Sequence, residues 1–376
     1  MNAEILADTE YYTYRGRHAL SDILTAMGLS NGDIVVVQAF TCVAVPEAIL
    51  HAGCKPVYVD IDPLTLGASV DALQKIFSEL NAKAFILQYT YGVRPDLKRL
   101  MDLCEKHCVN IIEDCCHILP TAVSNSLVGQ IGVAAFTSFE WGKPIPAGLG
   151  GALVVNDEDT IDLEKLRQLR SQKQQPPISL QIRMLLQYQL FKLLFKPSFY
   201  WQLKALFRFF VKYRLAVGNY ATDAMQLDSK EWNYDVLPNV KRRVRKSIAL
   251  IQSNKNIVKS ALNYVSENLD NEWISVAVPK DKINSDLLRL PLLVEHKSEF
   301  LEYCRRMKIP SGDWFDSPVH PLKGGQLKSV LYQHDCHVAE QISKKIVTIP
   351  LDNQMTLSRC RKITTLLNRY GNDKKF

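Results

Sequence analysis

The sequence predicts an α/β fold, with a mostly parallel, doubly wound sheet and a smaller α+β domain on its C-terminal side. Two observations lead there. From about residue 19 to residue 156, short apolar runs rich in β-branched residues alternate with stretches whose apolar residues recur at helical spacing, which is the pattern of βαβ units. The chain has 376 residues, nearly half of them hydrophobic. That is too many for one small core and suits a large domain with a second beside it.

The elements follow in order. HALSDILTAMGLSNG, from His18, has apolar residues at helical spacing and is expected to end at Gly32. DIVVVQAF, from Asp33, is an apolar run suited to a buried strand. VPEAILHAG carries Pro46 in the first turn of a helix and Gly53 at its end. KPVYVDID is a strand, and SVDALQKIFSEL a helix that opens on an N-cap serine, Ser69. AKAFILQYTYG is a strand, PDLKRLMDLCEKHC a helix, and VNIIEDCC a strand closed by two acids. GVAAFTSF and GGALVVND are two more strands. A long helical pattern starts near Leu237, followed by short strands (WISVAVP, LLRLPLLV) and helices (SEFLEYCRRM, SRCRKITTLLNRY). The expected division is a large domain over residues 1–236 and a small one over 237–376.

Charge is unevenly spread. The net charge is +7, yet the stretch from Lys165 to Thr222 holds eleven of the 46 basic residues and none of the 39 acidic ones. The rest of the chain is slightly acidic. One basic belt on such a body argues against a general nucleic-acid binder. The nine scattered cysteines are an odd number and make a disulfide framework a poor reading, so a reducing cytoplasm is expected. No zinc site is expected, since only His107 and His117 stand near the cysteines at 104–116. The N-terminus lacks the basic start and apolar stretch of a secretory signal.

Chemistry concentrates at three places. Glu113-Asp114 closes an apolar strand, Ser138 to Lys143 follows another, and Gly148-Leu149-Gly150-Gly151 comes next. In a parallel sheet, carboxyl ends of strands line the ligand crevice, so a carboxylate and a lysine there face one site. These types suit pyridoxal 5'-phosphate (PLP): a lysine for its aldehyde, a carboxylate for its ring nitrogen, hydroxyls and backbone N–H groups for its phosphate.

On these residues the chain resembles the DegT/DnrJ/StrS sugar aminotransferases, PLP enzymes of fold type I. The likeness runs through AFTCVAVPEAILHAGCKPVYVDID, YGVRPDLKRLMDLCEKH, VNIIEDCCH, VGQIGVAAFTSFEWGK, GLGGALVVND and CHVAEQISKKIVTIPL. It implies that Lys143 is the Schiff-base lysine and Asp114 the partner of the ring nitrogen. His117 stands where the family has Gln or His near the ring hydroxyl, and Ser138 where a serine contacts the phosphate. Gly16-Arg17 replace a usual Gly-Thr at the phosphate, where Arg17 can pair with it directly. Cys42 sits where many members lay an aromatic ring over the cofactor, so stacking must come from elsewhere. Asn219 matches loosely an asparagine that reaches a neighbouring subunit. The resemblance implies amino transfer from glutamate to a nucleotide-linked keto sugar, in a homodimer. A PLP-dependent sugar dehydratase of the same fold is a rival, although a histidine replaces the lysine in that branch. A non-catalytic PLP- or sugar-binding regulator is a second rival, and a membrane-surface scaffold a third.

Residues 179–216 lack any apolar run near the ~20 residues a spanning helix needs. They read as two helices divided near Pro197, with Lys204, Arg208 and Lys212 on one face of the second. The segment suits either a membrane interface or a partner subunit.

Overall fold

The structure is a computed structural model. It describes all residues except 1–5, 7, 8, 119–127, 195–199, 214–226, 284, 285, 352–354 and 372–376. Asn219 therefore lies outside the described residues.

The strands fall where the apolar runs put them. Strand β1 is Tyr12–Thr13, β2 Ile34–Gln38, β3 Thr41–Cys42, β4 Lys55–Val59, β5 Ala82–Gln88, β6 Asn110–Asp114, β7 Ala134–Ser138 and β8 Gly151–Val155. The helices among them are α1 Gly16–Ala26, α2 Ala44–His51, α3 Val70–Glu79, α4 Leu97–Lys106 and α5 Leu163–Ser171. The main sheet has the order β1-β8-β7-β6-β5-β2-β4. The five strands from β4 to β7 are parallel, whereas β8 runs antiparallel to β7 and β1 antiparallel to β8. Alternate residues serve opposite layers. Val35, Val37, Ala84 and Ile86 join the core under α1 and α2, while Val36, Phe85 and Leu87 join the core under α3 and α4. Strands buried on both faces must be apolar throughout, which is why they were legible as continuous runs.

Helix α1 is shorter than its sequence pattern. It ends at Ala26 rather than at Gly32. Gly28 takes φ +73°, and its N–H donates to the Thr25 carbonyl while Leu29 N–H donates to that of Leu24. This Schellman arrangement satisfies the last carbonyls and stops the helix six residues early.

The basic segment contains α6 (Ile178–Leu194) and α7 (Tyr200–Lys212), and α8 (Val240–Asn268) follows. The side chains of Lys204, Arg208 and Lys212 lie outside the described residues. Helix α8 joins both cores: Val240, Val244 and Ile248 belong to the one that holds Leu73 and Leu100, whereas Leu262 and Val265 belong to the one that includes the C-terminal elements. Those elements are β9 (Ile274–Val276), β10 (Arg289–Val294), α9 (Lys297–Arg306), β11 (Val319–His320), α10 (His337–Lys345), β12 (Ile346–Pro350) and α11 (Leu357–Arg369). Strands β12, β10 and β9 form an antiparallel sheet. Strand β11 leaves that body and pairs in parallel with β3, Val319 opposite Thr41 and His320 opposite Cys42. The chain's C-terminal part thus reaches the carboxyl ends of the main sheet. Among the described residues no helix is long and apolar enough to cross a membrane.

Helix α1 carries a pH-sensitive group. His18 is buried, its Nε2 lies 2.8 Å from the Glu231 carbonyl, and burial holds it well below its ordinary pKa. Below about pH 6.5 the unfolded chain gains a proton there that the folded chain does not. Stability is therefore full above that pH and falls with acid, by roughly 1.4 kcal/mol per unit. His117, also pushed down by burial, acts in the same direction. Asp22, raised to about 6 by burial, acts oppositely below its own value. Replacing His18→Phe is expected to flatten the fall in denaturation midpoint between pH 6.5 and 5; an unchanged slope would contradict this assignment.

Candidate active site

Four carboxyl-end segments converge. The end of β6 supplies Asp114 and, three residues on, His117; the end of β7 supplies Ser138 and the turn to Lys143. The segment after β5 supplies Tyr91, and β11 with its preceding loop supplies Trp314 and Phe315. The order of strands reverses between β2 and β5, so this end of the sheet is the crevice an open α/β fold offers a ligand.

The turn carrying Lys143 is tightly held. Phe139 N–H donates to Gly150 O (2.8 Å), Ala147 N–H to Phe139 O (2.9 Å) and Lys143 N–H to Glu140 O (3.3 Å). Lys143 Nζ then lies 3.0 Å from His117 Nε2 and 5.1 Å from the centre of the Trp314 ring. On the other side of the imidazole, Tyr91 N–H donates to Nδ1 at 3.4 Å. Burial keeps this imidazole neutral. With Nδ1 accepting, its single proton belongs on Nε2 and points at the lysine amine. An amine accepting that N–H does so through its lone pair, so His117 fixes where the Lys143 amine stands.

Asp114 is buried, and one of its oxygens accepts the Cys116 N–H at 2.9 Å. Burial raises its pKa despite that bond, so the pocket favours either a proton or a cationic partner beside it. Glu113, its neighbour, points to the opposite layer. It accepts bonds from the Tyr89 hydroxyl and from Gly129, Ile131 and Gly132 N–H, which makes it structural.

Ser138 meets the start of α1. A Cβ on Gly16 would stand 2.9 Å from Ser138 Cβ and 3.2 Å from Thr137 O, so this approach requires glycine. The N-cap residue, Arg15, gives the helix no side-chain cap. The N-terminus of α1 is a fitting cradle for an anion, with Ser138 Oγ beside it. Among the described residues, Ser138 Oγ accepts a long 3.5 Å bond from Glu140 N–H.

Arg17 is committed elsewhere: its guanidinium pairs with Glu47, which is buried on α2. The sequence reading aimed this arginine at a phosphate, whereas here a buried carboxylate holds it. Cys42 is half-buried beside β11, its thiol pushed up by burial. Ring surfaces are provided instead by His117 itself, stacked on Trp314 (5.3 Å, 25°), Tyr91 (6.0 Å, 3°) and Phe315 (5.7 Å, 25°). Tyr91 hydroxyl fixes this wall by donating to the Trp314 carbonyl and accepting Phe315 N–H at 2.8 Å.

The sequence did not single out four further residues, Arg289, Trp314, Tyr91 and Arg15. Arg289, at the start of β10, stacks over Trp314 at 4.6 Å, and its buried Nε has no hydrogen-bond partner among the described residues. The missing signal is physical: Arg289 and Trp314 reach the site only through the folding of β10 and β11. The fourth is Arg15, buried between Glu140 (2.9 Å) and Glu231 (3.0 Å). Burial opposes the charge on Glu140, but Arg15 and then Arg17 outweigh it and hold the carboxyl below its usual range.

Removing that charge with Glu140→Gln leaves Arg15 with one carboxylate instead of two. The expected cost is about 2 kcal/mol, read as a lower denaturant midpoint at unchanged slope. A midpoint equal to wild type would show that the pair does not hold the turn.

Comparison with known proteins agrees with this geometry. The model of the DegT/DnrJ/EryC1/StrS aminotransferase family matches residues 13–179. GDP-perosamine synthase of Vibrio cholerae is 35% identical over 147 residues, 39% of this chain and 40% of that protein. A pleiotropic regulatory protein of Geobacillus stearothermophilus is 33% identical over 162 residues, 43% of each chain. These matches span about two fifths of each relative's length. The crystal structure of a DegT/DnrJ/EryC1/StrS aminotransferase from Brucella abortus superposes with TM-score 0.64 at 20% identity, covering 95% of this chain and 84% of that one; it establishes the fold.

Proposed function

We propose that this chain is a PLP-dependent aminotransferase of the DegT/DnrJ/EryC1/StrS family, whose model matches residues 13–179. Its acceptor is a nucleotide-linked keto sugar, its donor glutamate, its working form a cytoplasmic homodimer. The observation that carries the reading is the 3.0 Å approach of Lys143 Nζ to His117, beside buried Asp114 and the uncapped start of α1. The relative named GDP-perosamine synthase supports a nucleotide-sugar substrate.

The residues present fit the cofactor. Lys143 would hold its aldehyde, Asp114 its ring nitrogen, and Ser138 Oγ with the first N–H groups of α1 its phosphate. The guanidinium of Arg17, paired with Glu47, leaves that last task to backbone and hydroxyl. PLP, when bound, supplies an exchangeable carbonyl and a ring that accepts electrons. The chain's own work is different. Asp114, kept from water, holds a positive charge opposite it. His117 orients the lysine amine. The Lys143 amine would also take up and return a proton beside the bound group. Trp314, Tyr91 and Phe315 exclude water from the wall. Arg289 takes an anionic group of the substrate. A dehydratase reading is disfavoured by lysine at 143, and a regulatory one by Lys143, Asp114 and Ser138 meeting at one crevice.

Two substitutions separate these roles. Asp114→Asn keeps shape and loses charge, so turnover with glutamate is expected to drop by several orders of magnitude while the fold persists. Arg289→Ala is expected to raise KM for an anionic substrate with kcat much less affected. Near-normal turnover in the first variant would remove Asp114 from the site's chemistry. An unchanged KM in the second would free Arg289 of substrate.

A further inference from the structure

Helix α6 is apolar on both sides. On one side Met184 is buried, and Tyr188 and Phe191, one and two turns on, pack against Trp141. The Phe191 and Trp141 rings stand 3.8 Å apart, and Arg243 caps Tyr188 at 3.9 Å. At about 100° per residue, the opposite side is formed by Ile178, Ile182, Leu185, Leu186 and Leu193. These five are between 45% and 74% exposed. A helix needs one apolar side to pack on its own domain; a second, aliphatic one facing water calls for a cover.

Helix α7 extends the surface. Its start is anchored, since the Tyr200 hydroxyl donates to Ser311 O and the Trp201 indole N–H to Ile309 O, both at 3.0 Å. Further along, Leu206, Phe209, Phe210 and Tyr213 are exposed, with Phe209 and Tyr213 rings 4.6 Å apart.

Charge selects the cover. Five basic residues, Arg183, Lys192, Lys204, Arg208 and Lys212, lie on α6 and α7, and neither helix has an acid. A second copy of this chain meeting the patch on a two-fold axis would bring the same basic surface against itself. An anionic bilayer offers the complement, with negative headgroups for the lysines and arginines and acyl chains for the aliphatic row. Helix α6 has 17 residues, including Arg183 and Lys192. Its length of about 25 Å, with these charges along it, suits lying in the interface and not crossing it.

We infer that α6 and α7 form a docking surface for anionic membranes, with the aliphatic row of α6 inserted at the headgroup boundary. Trp141, in the turn that ends at Lys143, lies under the inner side of α6. Ser311, which anchors α7, is three residues before Trp314. Docking therefore sets the candidate active site one helix thickness from the membrane surface. The inference does not rest on amino transfer, because vesicle binding is read without an enzyme assay.

The test is flotation of the full chain with vesicles of phosphatidylcholine alone or mixed with phosphatidylglycerol. Binding to the anionic vesicles at low salt is expected to exceed that to neutral ones by about tenfold or more, and to weaken in high salt without vanishing. The variant Ile182→Glu/Leu186→Glu/Leu193→Glu, changed only on the outer side of α6, is expected to lose that binding. Its circular dichroism and sedimentation coefficient should match wild type. A wild-type chain that stays unbound, or a variant that floats equally well, overturns the inference. So does a variant whose oligomer falls apart, since that outcome assigns the aliphatic row to a second copy of the chain.

Discussion

The guanidinium of Arg15, buried between two carboxylates, is the constraint on which the candidate site depends. It joins three parts distant in sequence: the residue that opens α1, Glu140 in the turn before Lys143, and Glu231 beyond the basic helices. A buried charge without partners costs several kcal/mol, so these parts must come together for any of them to be stable there. Once they do, the start of α1 lies against Ser138 and the lysine turn has one place to stand. Arg17 repeats the device two residues on by tying α1 to Glu47 of α2. Two arginines flanking Gly16 thus fix the start of α1, each through a buried or half-buried carboxylate.

The site itself works by contrast of environments. Asp114 is buried with its pKa raised and wants a positive neighbour. His117 is buried and neutral, so it directs a proton without adding charge beside the lysine. Glu140, lowered by Arg15 and Arg17 in spite of burial, stays an anion and belongs to the scaffold. On the proposed function, acid, imidazole and amine divide into a charge partner, a positioning group and a nucleophile by burial and by which partners each finds.

Much of this was legible in the sequence. Strands buried on both faces write themselves as unbroken apolar runs, and Asp114, Ser138 and Lys143 stand at their carboxyl ends, where the topology turns position into function. What was not legible came from contacts across long stretches of chain. Arg289 joins the site from the start of β10 and Trp314 through the pairing of β11 with β3, which leaves no local periodicity. Arg17 read as a phosphate ligand because its position next to Gly16 was visible and Glu47, 30 residues away, was not. The end of α1 was misplaced because the pattern of apolar residues runs past Gly28, and only its left-handed φ closes the helix. Helix α6 was legible as apolar and basic, but that its two sides have different fates is a property of the fold.

The account's central claim is that the amine poised against His117 is the one that holds the cofactor. Borohydride reduction of the PLP-loaded protein, followed by peptide mapping, addresses it directly. A single pyridoxyl label on the peptide containing Lys143, absent in Lys143→Ala, is the expected result. A label on another lysine, or none on a protein that has bound PLP, would contradict it.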